Sequence, residues 1–265
     1  MTKILLVGCG KMGSAMLVGW LQRGIRAADV VVVDPHAQAL PAGITVIGDA
    51  DLIPKSFAPD ITILAVKPQV MAGVLPAYAR LAGQTTFLSI AAGKPVAFFR
   101  QHLGEAAAII RAMPNTPAAV QRGITVCFAG GGTDAAGQAL AQSLLEAVGE
   151  VAWIDDETQM DAVTALSGSG PAYVFLLAEV MAAAGVAAGL PADLADRLAR
   201  ATVAGGGELL RQSADSSAQL RINVTSPGGT TAAALAVLMA ESGGMAPLME
   251  QAVAAATRRG KELAG

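Results

Sequence analysis

The junction near the start of the chain constrains the fold most. The apolar run 4–7 leads straight into Gly8-Cys9-Gly10-Lys11-Met12-Gly13, and helical spacing begins at once. Gly8 permits a tight turn, Gly10 lets backbone come close to a pyrophosphate, and Gly13 lets helix and strand pack closely. The helix N-terminus then presents unpaired N–H groups and a partial positive charge to phosphate. Such glycine spacing is common by itself. Its place directly after a strand, and at the opening of a helix, is what points to a dinucleotide. The competing reading is a glycine turn that serves packing alone.

The rest of the first half repeats the strand-and-helix rhythm. Short, nearly all-apolar runs fall at 4–7, 30–33, 61–66, 86–91, 108–111, 124–128 and 150–154. Such runs fit strands buried on both faces of a mainly parallel sheet, with segments such as 13–23 and 69–81 as crossover helices. Residues 1–154 therefore read as an α/β, Rossmann-type doubly wound domain. From Asp155 the strand signal stops. Residues 156–187, 191–212, 229–241 and 246–263 are rich in Ala, Leu, Met and Val at helical spacing, with Pro171 and Pro191 where first turns begin. Residues 155–265 read as an all-helical second domain.

Only 15% of the 265 residues are charged and 53% are apolar, so such a chain is expected to hide extra surface between subunits. The formal net charge is -3 and no basic run appears, which argues against binding nucleic acid or an anionic membrane. Cys9 and Cys127 are read as reduced thiols of a cytoplasmic protein, and the N-terminal apolar run is too short for a signal peptide. The apolar stretch 172–190 has the length of a membrane span, but Glu179 interrupts it, and a core or interface helix is the preferred reading. No metal site is expected.

Asp34 ends the second strand run, about twenty residues past the loop, where an acidic side chain accepts hydrogen bonds from the adenosine ribose. No Arg or Lys follows in Asp34-Pro35-His36, so these residues favour NADH over NADPH. The charged inventory also limits the chemistry. His36 and His102 read as surface residues, and the helical half has no lysine before Lys261. Tyr173 lacks the lysine that short-chain reductases place four residues on. An alcohol or ketone would find no good proton donor here. A protonated C=N is already electrophilic, and hydride addition neutralises its charge, so one hydroxyl near the nitrogen suffices.

Thr225-Ser226-Pro227-Gly228-Gly229-Thr230-Thr231 gathers hydroxyls and backbone N–H groups at a helix start. That end suits a carboxylate, or it is simply a capped helix start with flexible glycines. Ser167-Gly168-Ser169-Gly170-Pro171-Ala172-Tyr173 either admits a close backbone or ligand, or breaks a helix. Three further segments, Ala65-Val66-Lys67-Pro68, Ser89-Ile90-Ala91-Ala92-Gly93 and Arg111-Ala112-Met113-Pro114-Asn115-Thr116-Pro117, follow strands and would lie beside a cofactor crevice.

Taken together, the stretches 65–68, 111–117, 161–173 and 224–231 resemble the pyrroline-5-carboxylate reductase family, and the likeness runs from about residue 3 to 263. The resemblance implies a Rossmann-type domain holding NADPH or NADH and a helical domain that dimerises. It implies that Ser226, Gly228, Gly229, Thr230 and Thr231 hold the substrate carboxylate, with the Thr231 hydroxyl near the ring nitrogen as the catalytic contact. Glu157 and Asn223 fall on further family positions near the substrate. On the cofactor side the matches are Val7, Gly8, Cys9, Gly10, Lys11, Met12, then Ala65, Val66, Lys67 and Pro68, then Ala91 and Ala92. Interlocked homodimers, often built into decamers, with one site drawing on two chains, are implied as well. Two departures stand out. Gly13 replaces an Ala of many members, a change expected to matter little. Asp34-Pro35-His36 stands where NADPH-preferring members tend to carry Ser or Asn with Arg.

Overall fold

The computed structural model describes residues 2–37 and 40–264. Eight strands form one sheet: β1 Ile4–Val7, β2 Val30–Val33, β3 Thr45–Ile47, β4 Ile61–Leu64, β5 Thr86–Ser89, β6 Ala108–Met113, β7 Gly123–Ala129 and β8 Gly149–Ile154. Their spatial order is β3-β2-β1-β4-β5-β6-β7-β8. Every pairing is parallel except β6 with β7. Residues 114–122 join β6 to β7 through one 3-10 segment, Thr116–Val120, and are too few for the crossover that a parallel partner needs. The doubly wound, mainly parallel sheet expected from the apolar runs is therefore present.

Side-chain alternation explains why these runs carry no polar face. Ile4, Leu6, Val30, Val32, Ile61 and Ile63 point to one core, with Met16, Leu17 and Trp20 of α1 (Lys11–Gln22). Leu5, Val7, Val31, Val33 and Leu64 point to the other. That second core is closed by Met71 of α2 (Met71–Val74) and by Phe99 and Leu103 of α3 (Val96–Leu103). Helix α4 (Ala135–Leu145) returns to the first core, where the Trp20 indole N–H donates to the Leu144 carbonyl over 2.9 Å. Strand order reverses between β1 and β4, so the crevice for a ligand lies beyond their carboxyl ends.

The helical half comprises α5 (Met160–Val163), α6 (Gly170–Ala187), α7 (Ala192–Gln212), α8 (Ser217–Asn223), α9 (Thr230–Leu238) and α10 (Met245–Ala264). A π-helical segment, Thr164–Gly168, separates α5 from α6. The chain divides into two compact units, Met1–Gly168 with Ala256–Gly265, and Ser169–Ala255. The last strand ends at Ile154, some way before that division.

Three details depart from the sequence reading. Strand β3 was not expected: it is a short sheet edge with no buried residue. Helix α8 was not expected either. The strands read over 61–66 and 86–91 stop at Leu64 and Ser89, and their last residues form loops at the carboxyl edge.

The second unit buries little by itself. Ala195 and Ala199 are its buried hydrophobic side chains, and Ala195 sits against Gly185 where α7 meets α6. Helix α6 has no buried residue, and Phe175 is 66% exposed. A core location for the apolar stretch 172–190 is therefore corrected. A helix that is apolar on all sides and only partly covered by α7 within its own chain requires another covering surface.

Candidate active site

At the carboxyl end of β1 the three loop glycines do different work. Gly8 has φ +87°, and a Cβ there would lie 2.8 Å from Val66 Cγ1. Gly13 would place a Cβ 2.6 Å from the Gly8 carbonyl oxygen, so even the expected mild change to Ala requires the loop to shift. A Cβ on Gly10 would meet nothing within 4 Å. The protein thus needs no glycine at position 10 for its own packing, whereas a ligand lying against the backbone there does. The first helical bond of α1 runs from the Ser14 N–H to the Gly10 carbonyl, so the N–H groups of Lys11, Met12 and Gly13 lie ahead of the ladder. Gly10 supplies no capping side chain. A free helix end beside open space fits a pyrophosphate.

Asp34 stands at the tip of β2. One carboxylate oxygen accepts the Cys9 N–H at 2.7 Å and the other accepts the His36 N–H at 2.8 Å. The acid thereby braces the glycine loop. Cys9 is buried beside it, and burial raises its thiol pKa, with the Asp34 charge acting in the same direction and the Ser14 hydroxyl against it. Ala65 donates its N–H to Val7 at 2.8 Å, which sets Ala65, Val66, Lys67 and Pro68 next to the loop. Ala91 is buried and its N–H is held by the Ser89 hydroxyl at 3.2 Å, while Ala92 is exposed.

Glu157 is tied within the same unit. Its Oε1 accepts from Arg111 Nη1 at 2.7 Å and from the Val96 N–H at 2.8 Å. Arg111 is 7% exposed and its partner carboxylate 28%. The motif Arg111-Ala112-Met113-Pro114-Asn115-Thr116-Pro117 by itself assigns no role to Arg111. The available signal was a single charge inside the otherwise apolar run Ala108-Ile109-Ile110-Arg111-Ala112-Met113. Among the described residues, no group of three or more His, Cys, Asp or Glu is placed to hold a metal.

The second unit builds the other cluster. Ser226-Pro227-Gly228-Gly229 closes a turn through the Gly229 N–H to the Ser226 carbonyl at 3.0 Å, with Gly228 at φ +70°. This is the pattern of a type II turn, with Pro second and Gly third. Gly229 is the N-cap of α9, which has no side-chain cap. The first bond of that helix runs from Ala233 to Gly229, leaving the N–H groups of Thr230, Thr231 and Ala232 at its open end. Gly229 is thereby the residue whose own N–H is taken. The Asn223 amide accepts from Gln219 at 2.7 Å and donates to Asp215 at 3.2 Å. Glu157 and the cofactor-side residues lie in the first unit, and Asn223 to Thr231 lie in the second.

The chain is 41% identical to the pyrroline-5-carboxylate reductase of Pseudomonas aeruginosa, an alignment covering 99% of this chain and 97% of that protein. Residues 157–263 match the family described as pyrroline-5-carboxylate reductase dimerisation. The chain belongs to the pyrroline-5-carboxylate reductase family. Residues 3–93 also match the family described as NADP oxidoreductase coenzyme F420-dependent. A solved pyrroline-5-carboxylate reductase from Coxiella burnetii superposes with a TM-score of 0.91 at 35% identity, covering 99% of this chain and 98% of that one. The Plasmodium falciparum enzyme, solved with NADP bound, gives 0.83 at 28% identity and covers 100% and 98%. The enzyme is an NAD(P)H-dependent oxidoreductase that reduces the C=N bond of 1-pyrroline-5-carboxylate to L-proline, and it carries the family's dimerisation domain.

Proposed function

We propose how the named residues perform this reduction. The uncapped end of α9 carries the reading: a helix start that leaves its own N–H groups open is built for an anion. The N–H groups of Thr230, Thr231 and Ala232 hold the substrate carboxylate, and Ser226, Gly228 and Gly229 shape the turn beneath it. The protonated imine N–H donates to the Thr231 hydroxyl. Asn223 borders the ring. Val7 to Met12, Asp34, Ala65 to Pro68, and Ala91 with Ala92 hold the dinucleotide, whose nicotinamide supplies the hydride. The protein's task is then to bring the C=N carbon within about 3–3.5 Å of that donor and to exclude water.

Residues 1–154 serve as the cofactor domain, and 155–265 as the substrate and dimerisation domain. Asp34 disfavours a 2′-phosphate, so NADH is the preferred donor here. The apolar faces of the second unit meet a second copy, and dimers of this kind build a decamer. The segment Glu157–Ala187 is long and apolar enough to cross a membrane. We assign it to the subunit interface because it lies wholly inside the matched dimerisation segment. The two buried cysteines, both free thiols, fit a reducing cytoplasmic setting.

Loss of absorbance of NADH or NADPH on adding the cyclic imine, set beside a panel of 2-oxo acids, tests the chemistry. Thr231→Ala tests the role of the hydroxyl. Losing one hydrogen bond to a charged group costs roughly 1.5–3 kcal/mol, so turnover falls about ten- to a hundredfold in a folded protein. Unchanged kinetics would remove Thr231 from the mechanism.

A further inference from the structure

The segment from Ala91 to Val96 is pinned at both ends by side chains. At the near end the Ala91 N–H is held by the Ser89 hydroxyl. At the far end the N–H of Val96, the first residue of α3, is held by Glu157. Glu157 is itself set by Arg111, which lies on β6 directly across from Ser89 of β5. A nearly buried guanidinium is costly unless a carboxylate faces it, so the pair holds one geometry. The carboxylate also meets the positive end of α3, which favours its charged form at that spot.

We propose that Arg111 and Glu157 are positioning residues, fixing the Ala91–Pro95 loop and through it the angle at which the hydride donor faces the imine. Glu157 then acts on the cofactor side, through Val96, and makes no contact with substrate. This inference rests on the reading that Ala91 and Ala92 face the nicotinamide. A mere stability bridge would hold β6 to the segment after β8. This carboxylate oxygen is shared with the backbone of a loop that the proposed site uses.

The test compares Glu157→Ala, Glu157→Gln and Arg111→Lys in the intact enzyme, with Ala92→Leu as a probe of the loop face. The readouts are kcat at saturating imine and reduced cofactor, KM for the cofactor, and the Kd of ADP-ribose, which lacks the nicotinamide. Glu157→Ala is expected to lower kcat about tenfold with the ADP-ribose Kd unchanged, since misplacement by ~1 Å costs up to about a hundredfold. Glu157→Gln keeps an oxygen for Val96 and is expected to restore most of that loss. A folded Glu157→Ala enzyme with wild-type kcat, beside an impaired Ala92→Leu, overturns the positioning role and leaves the cofactor reading standing. An Ala92→Leu enzyme with wild-type kcat and cofactor KM removes the cofactor reading and this proposal together. Should Glu157→Ala fail to fold, Arg111→Lys decides, because it keeps the charge but loses the planar fork. A kcat below wild type supports the proposal, and a wild-type kcat overturns it.

Discussion

The Cys9 N–H donates to the Asp34 carboxylate over 2.7 Å, so the residue that would choose the cofactor also braces the loop that would bind it. Both carboxylate oxygens are engaged by backbone, which fixes their remaining lone pairs in direction. Asp34→Ser therefore has two effects. The ratio of kcat/KM for NADPH over NADH is expected to rise about tenfold as repulsion of the 2′-phosphate disappears, a shift of ~1.4 kcal/mol. Efficiency with NADH should also fall, because Cys9 loses a charged acceptor. An unchanged ratio would mean that the free lone pairs face away from the ribose.

Gly8 and Gly10 lie two residues apart and should respond oppositely to the same substitution. Gly8→Ala forces a side chain onto a left-handed backbone and against Val66, which is expected to cost about 1–3 kcal/mol in chemical denaturation. Gly10→Ala meets open space, so stability should stay within about 0.5 kcal/mol of wild type. The same Cβ would occupy the phosphate face and raise the cofactor KM about tenfold or more. A Gly10→Ala enzyme with normal cofactor KM would sink the pyrophosphate assignment at this loop.

Alkaline pH provides a separate check on the core. Burial pushes the Cys127 thiol from 9.0 up to about 12. Its folded-state pKa is raised, so the stabilisation is complete below pH 9 and is lost as pH climbs toward 12. Above pH 9 the unfolded chain releases this proton and the native protein keeps it, so stability falls by about 1.4 kcal/mol per pH unit for this group. Cys9 shifts in the same direction and adds to the slope, and Tyr78, raised by burial, joins only above pH 10. Replacing Cys127 with Ala should flatten the decline between pH 9 and 10, measured by urea unfolding. An unaltered slope would show that the thiol is not protected.

Legibility from sequence tracked burial. Runs such as Ile4–Val7 and Val30–Val33 have both faces covered, and continuous apolar residues signal that directly. Thr45–Ile47 borrows its pairing from β2 at an exposed edge, so its pattern carries no core signal. Helix α8 spans mostly polar residues and is announced by a Ser216 cap, a weaker cue than apolar spacing. The need for glycine at positions 8 and 13 was readable because each follows from backbone geometry. The state of the Gly229 N–H was not, since it depends on how the Ser226 turn closes. Nor was the tie between Arg111 and Glu157, whose 46-residue separation no local pattern encodes.

The bare surface of α6 leads to the last prediction. Phe175, Leu176 and Val180 are exposed in the single chain, and the helix has no polar face to turn toward water. The dimerisation segment contains them all. Covering Phe175 is worth about 1.5–3 kcal/mol by transfer of its side chain, and placing a carboxylate there adds a desolvation cost. Phe175→Asp is therefore expected to weaken self-association by about a hundredfold or more, read by sedimentation across a concentration series. The wild-type enzyme should run at twice the chain mass or above at micromolar concentration. Activity should fall in step with dissociation if, as the family resemblance implies, one site draws on two chains. A fully active monomer carrying Phe175→Asp would separate assembly from catalysis and place the whole site within one chain.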